Sequence, residues 1–94
     1  MFYLGIDVAK AKIDCCLILE NSANKKKTKT FSNTPKGFEQ LQIWLNQHAA
    51  TSTQTIILME ATSIYQELLA KYLFDEGYQV SVTNPARARY FAQS

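Results

Sequence analysis

Glycine and proline are scarce in this chain, with three and two residues respectively. So few glycines leave little material for the glycine-rich loop that cradles phosphate in many nucleotide-binding folds. Histidine is limited to His48, and cysteine to the adjacent Cys15 and Cys16. None of them stands at zinc-ligand spacing, so a structural zinc site is excluded. Neighbours on an extended strand point to opposite faces, which places the two thiols poorly for bonding to each other. Both read as small buried hydrophobes in a reducing compartment. Long apolar runs are also missing. The longest, Cys15 to Leu19 and Ile56 to Met59, are far too short to cross a bilayer. The opening Met-Phe-Tyr-Leu-Gly lacks the basic start and cleavage site of a secretory signal. A cytoplasmic protein with no membrane partner is expected. Charge of one sign is lacking too: ten basic against eight acidic residues give +2, too little to imply nucleic acid by itself.

What is present suffices for one small domain spanning residues 1–94, with 47% apolar and 12% aromatic residues to build a core. A domain of this size buries a modest fraction of its surface, so its own stability should be marginal. Basic residues cluster as Lys25, Lys26, Lys27 and Lys29 and again as Arg87 and Arg89. The lysine run lies in an Asn-, Ser- and Thr-rich stretch and reads as a solvated hairpin tip.

Period-two alternation marks Phe2 to Val8 as a strand, and Lys12 to Glu20 and Thr28 to Ser32 follow as two more. Short connections predict an antiparallel meander. The period then changes. Thr34-Pro35 supplies an N-cap and a first-turn proline, and Phe38, Leu41 and Leu45 recur on one helical face, giving a helix from Pro35 to about Ala49. Thr55 to Met59 reads as a buried strand. Tyr65, Leu68, Leu69 and Tyr72 mark a second helix stopped by Gly77 in the left-handed position. Tyr78, Val80 and Val82 alternate as a fifth strand, and Asn84-Pro85 opens a third helix. The order β-β-β-α-β-α-β-α predicts an α/β fold with a mixed five-stranded sheet and helices on its faces. One arrangement that satisfies it is the ribonuclease H-like fold, with the first strand between the second and fourth.

Two acids stand out. Asp7 interrupts the apolar run Leu4-Gly5-Ile6-Asp7-Val8-Ala9, and Glu60 follows directly on Ile56-Ile57-Leu58-Met59. If the first and fourth strands are parallel neighbours, both carboxylates lie near the carboxyl ends, where α/β sheets build their sites. Such a pair offers hard oxygen donors suited to Mg²⁺ or Mn²⁺, and such ions can clamp a phosphoryl group. On the alternative reading Asp7 caps a turn and Glu60 is a helix-entry acid. Spacing alone does not choose between them.

Gly5-Ile6-Asp7-Val8-Ala9-Lys10, Phe31-Ser32-Asn33-Thr34-Pro35-Lys36-Gly37-Phe38, Met59-Glu60-Ala61-Thr62-Ser63-Ile64-Tyr65 and Asn84-Pro85-Ala86-Arg87-Ala88-Arg89-Tyr90-Phe91-Ala92 occur in one order. Together they resemble the DEDD-type insertion-sequence transposases over essentially the whole chain. The resemblance implies a RuvC-like, ribonuclease H-type catalytic domain whose four acids hold Mg²⁺ or Mn²⁺, with Asp7 as the first and Glu60 as the second. It implies DNA as substrate, similarity to recombinases guided by a structured RNA from the element, and a separate domain carrying a serine nucleophile. The third and fourth acids of the family, in a Lys-Thr-Asp-type segment, and the serine-bearing domain are not in this sequence. Ser63 also stands where the family commonly has glycine. The expectation is an amino-terminal fragment, inactive alone.

Lys10, Lys12, Arg87 and Arg89 are the candidates for phosphate contact. Arg87 and Arg89, two apart on a helix, do not share a face. Thr62 and Tyr65 lie near the site, with Tyr65 read chiefly as core. Trp44 reads as core or interface, and His48, near a helix carboxyl end, suits a dipole role. Asp14 is left unassigned. A homo-oligomer acting at the bacterial nucleoid is the expected assembly. Two rival readings are a nucleotide-binding domain of the actin and sugar-kinase type, which also opens with a Gly-Ile-Asp strand, and a non-enzymatic module for nucleic-acid binding or dimerisation. The first needs a hydroxyl- and glycine-rich loop where this chain has Val8-Ala9-Lys10-Ala11-Lys12.

Overall fold

The computed structural model describes residues 1–19, 25–61 and 64–83. Among the described residues five strands and two α-helices follow in the order β1 (Phe2–Val8), β2 (Lys12–Ile18), β3 (Lys26–Ser32), α1 (Pro35–Gln47), β4 (Thr55–Ala61), α2 (Glu67–Asp75) and β5 (Gln79–Thr83), with a 3-10 turn at Ser52–Gln54 ahead of β4. They form one mixed sheet of order β3-β2-β1-β4-β5, so β1 does sit between the second and fourth strands. β1, β2 and β3 pair antiparallel as a meander, whereas β4 runs parallel to β1 and to β5. The third helix expected from Asn84, together with Arg87 and Arg89, lies outside the described residues, as does Thr62.

Alternation explains the strands. Leu4, Ile6 and Val8 of β1, Ile13, Cys15 and Leu17 of β2, and Ile57 and Met59 of β4 are all buried in one core. Phe38, Leu41, Trp44 and Leu45 of α1 and Leu69 and Leu73 of α2 close that core from above. Each such aliphatic side chain contributes roughly 1.5–3 kcal/mol when fully removed from water. The two helices lie side by side: the Phe38 and Tyr72 rings are 5.6 Å apart, and the Tyr72 hydroxyl donates to Gln42 Oε1 at 2.7 Å.

The caps follow the sequence. Thr34 accepts from the Gly37 amide with Pro35 in the first turn, and Gly77 takes a φ of 92° after α2. His48 stands at the α1 C-cap, edge-on to Trp44.

Four expectations need correction. Both described helices cover the same face of the sheet, so among the described residues the other face is open. Consequently only Cys15 is buried, and Cys16, on the next pleat, faces the open side half-exposed. Burial, with Asp14 and Cys16 beside it, pushes the Cys15 thiol up to about 12 and keeps it protonated. Lys26, Lys27 and Lys29 belong to β3 and not to a hairpin tip. As an edge strand β3 gains from them, since lysines discourage pairing with another sheet. Finally, α2 begins at Glu67, so Tyr65 sits in the preceding turn at 43% exposure and Leu68 points outward at 70%. Leu69 and Leu73 carry the buried stripe instead.

Candidate active site

The open face carries the candidate acids. Asp7 is the register partner of Glu60 across the parallel β1–β4 ladder and of Asp14 across the antiparallel β1–β2 ladder. Asp14 in turn faces Thr30, and Glu60 faces Thr83. Register partners project to the same side of a sheet, so Thr30, Asp14, Asp7, Glu60 and Thr83 form one row across all five strands. Neighbouring strands are about 4.8 Å apart, which is the natural spacing between successive members of the row. Asp7 and Glu60 are each the penultimate residue of their strand, near its carboxyl end.

Both are exposed. Asp7 therefore does not break into the core: it occupies an outward pleat between the buried Ile6 and Val8. Neither reading as a cap survives, because Asp7 and Glu60 both lie within strands and α2 starts only at Glu67, without a side-chain N-cap bond.

The three acids of the row differ in their company. Thr30 Oγ1 donates to Asp14 Oδ1 at 2.6 Å, and Lys12 Nζ lies 3.9 Å from Asp14 Oδ2. Asp14 is thus tied to its own strand pair. Among the described residues Asp7 and Glu60 have no hydrogen-bond or ion-pair partner. Like charges directly opposite on a sheet repel, and a cation between them removes that cost. Sequence reasoning left Asp14 unassigned because its place beside Asp7 follows only from strand register.

Below the acids the open face forms a shallow depression of about 580 Å³ lined by Gly5, Cys16, Thr28 and Leu58 together with Asp7 and Glu60. Lys10 sits exposed in the β1–β2 turn and Lys12 at the first position of β2, so both stand at the acid end of the sheet. Lys12 leans towards Asp14, yet the pair is more than half exposed on its lysine side and contributes little. Tyr65 is near Asn33, which donates to its carbonyl at 3.1 Å.

Among the described residues no group of three or more His, Cys, Asp or Glu side chains is arranged to hold a metal ion. Asp7 and Glu60 fit a hard divalent cation as a pair of oxygen donors, and a complete coordination shell needs donors beyond them.

Comparison with known proteins decides the family. The profile of the IS110-type DEDD transposases matches residues 4–94. The chain belongs to this transposase family. The pilin gene-inverting proteins of Moraxella bovis and Moraxella lacunata are each 34% identical to it over 92 residues, covering 98% of this chain. The chain spans 28% of the length of these relatives. Among solved structures, an exopolyphosphatase from Cytophaga hutchinsonii aligns over 93% of this chain and 35% of its own, with a TM-score of 0.59 and 12% identity. YeaZ from Pseudomonas aeruginosa covers 89% of this chain and 45% of its own, with a TM-score of 0.57 and 8% identity. At such identities the likeness is one of fold alone. Both neighbours are of the actin and sugar-kinase-like class. Strand order therefore does not by itself distinguish that class from the ribonuclease H-like one. None of the described helices is long and apolar enough to cross a membrane.

Proposed function

We propose that this chain is part of the RuvC-like, ribonuclease H-type catalytic domain of a DNA recombinase, with Asp7 and Glu60 as two of its metal-holding acids. The observation that carries this reading is the in-register pairing of two exposed carboxylates, without a side-chain partner among the described residues, at the carboxyl ends of adjacent parallel strands. Family membership makes DNA the natural substrate class, and the relatives' name adds inversion of a DNA segment to transposition as the outcome.

Asp7 and Glu60 would hold Mg²⁺ or Mn²⁺ between them, with further donors from the remainder of the protein. Such an ion supplies charge stabilisation at a phosphoryl group and acidifies a bound water. Lys10 and Lys12, at the same end of the sheet, neutralise backbone phosphates and orient the DNA across the acids. Arg87 and Arg89, outside the described residues, are further candidates for phosphate contact. The open depression leaves the strand tips accessible to a polymer substrate. A guide RNA from the element, a homo-oligomeric assembly and action at the nucleoid belong to the same reading. Alone, the 94 residues are expected not to cleave DNA, since two carboxylates are half the donor set of the family.

Chelation tests this. In a full-length recombinase carrying this segment, EDTA should abolish cleavage of element-end DNA, and Mg²⁺ or Mn²⁺ should restore it, with no response to added nucleotide. Cleavage that persists in EDTA contradicts the proposal. Tight nucleotide binding would instead favour the actin and sugar-kinase alternative, whose phosphate loop this sequence lacks.

A further inference from the structure

We infer that Asn33 is a positioning residue for the metal-holding pair, bracing the tips of β1 and β4 from the far side of β2; this rests on the reading of Asp7 and Glu60 given above. Asn33 follows directly on β3, two strands away from β1. Its side-chain nitrogen donates at 2.8 Å to the carbonyl of Ala9, just past the end of β1. The same nitrogen donates at 3.1 Å to the carbonyl of Tyr65, in the turn that leads from β4 into α2. Both amide hydrogens are thereby used, one on each connection. Its backbone amide adds a third bond, to Ala11 of the β1–β2 turn at 3.0 Å.

The placement matters because of where the ladder stops. The last β1–β4 pair is Val8 with Ala61, one step beyond Asp7 and Glu60. Strand ends fray when nothing beyond the last ladder bond holds them. Asp7 and Glu60 sit on those ends, and a site of two carboxylates works only if their separation is held to within a fraction of an ångström. Asn33 ties the segment that leaves β1 to the turn ahead of α2. Its side-chain bonds go to these two carbonyls and not to the acids, so its effect passes through strand spacing. Shorter side chains cannot span both carbonyls, and an aspartate at neutral pH has no donor for either.

Manganese binding separates positioning from folding. In the full-length recombinase, Mn²⁺ titration followed by loss of the free-ion electron paramagnetic resonance signal should show three- to ten-fold weaker binding in Asn33→Ala and in Asn33→Ser. The Mg²⁺ concentration for half-maximal cleavage should rise by the same factor, with most of the cleavage recovered at saturating metal. A purely structural role would lower the melting temperature and leave both metal midpoints in place. Either folded variant with wild-type midpoints overturns the inference. Failure of both variants to fold also counts against it, because Asn33 would then be a folding residue. Asp7→Asn serves as the reference. If it loses Mn²⁺ while Asn33→Ala keeps it, the bracing role alone is wrong; if Asp7→Asn binds Mn²⁺ normally, the metal reading itself fails.

Discussion

Asp7→Asn in a full-length recombinase carrying this segment should reduce strand cleavage by about a thousand-fold or more while DNA affinity changes only a few-fold. The magnitude follows from what a metal ion contributes. Charge stabilisation at a phosphoryl group is worth several kcal/mol, and roughly 4 kcal/mol corresponds to about three decades in rate. Asparagine keeps the size of the side chain and one oxygen but loses the charge that would hold the ion. The fold should be unaffected, because Asp7 is exposed and its carboxylate makes no bond among the described residues that the substitution breaks. Relief of repulsion from Asp14 and Glu60 could even stabilise the sheet slightly. Glu60→Gln should behave alike, and the double variant should lose little beyond either single one, since residues acting as a unit are not additive. A pure binding module would keep its activity in all three. Near-wild-type cleavage by Asp7→Asn would remove the basis of the proposed function.

Gly37→Ala is expected to cost about 3 kcal/mol, a large fraction of the roughly 5–15 kcal/mol that holds a small domain together. Helix propensity alone argues the other way, because alanine in an α-helix is favoured over glycine by about 1 kcal/mol. Geometry decides the contest. Gly37 lies in the first turn of α1, where a Cβ would fall on the carbonyl oxygen of Ser32, with the Ser32 hydroxyl also in its way. The obstructing atom is backbone at the end of β3, so no side-chain rotation relieves it. The helix would have to move away from the sheet, and Phe38 and Leu41 would leave the core with it. Thr34 would also lose its 3.1 Å bond from the Gly37 amide. Urea denaturation of the chain checks the sign directly. A neutral or stabilising effect would mean that the β3–α1 junction is looser than the structure shows.

Much of this fold is legible in the sequence for local reasons. Strand alternation assigns Ile6 and Val8 inward and Asp7 outward once the strand is accepted, and Thr34-Pro35 and Gly77 punctuate the helices by cap chemistry. Topology rules then bring Asp7 and Glu60 to adjacent strand ends. Where the reading fails, the missing information is tertiary. Leu68 and Leu69 are chemically identical neighbours, and only packing against the sheet decides that Leu69 is buried and Leu68 exposed. Cys15 and Cys16 differ for the same reason, as one meets the helices and the other an open face. Asp14 enters the acidic row through register alone. Asn33 carries no local signal of its role, because the bonds that define it span 24 and 32 residues.

The most direct measurement is the position of an anomalous scatterer in crystals of the recombinase soaked in Mn²⁺. The account predicts a manganese peak with carboxylate oxygens of both Asp7 and Glu60 within about 2.0–2.4 Å of it, the range of direct coordination to hard oxygen ligands. A fully occupied peak elsewhere, with these two carboxylates unliganded, would contradict it.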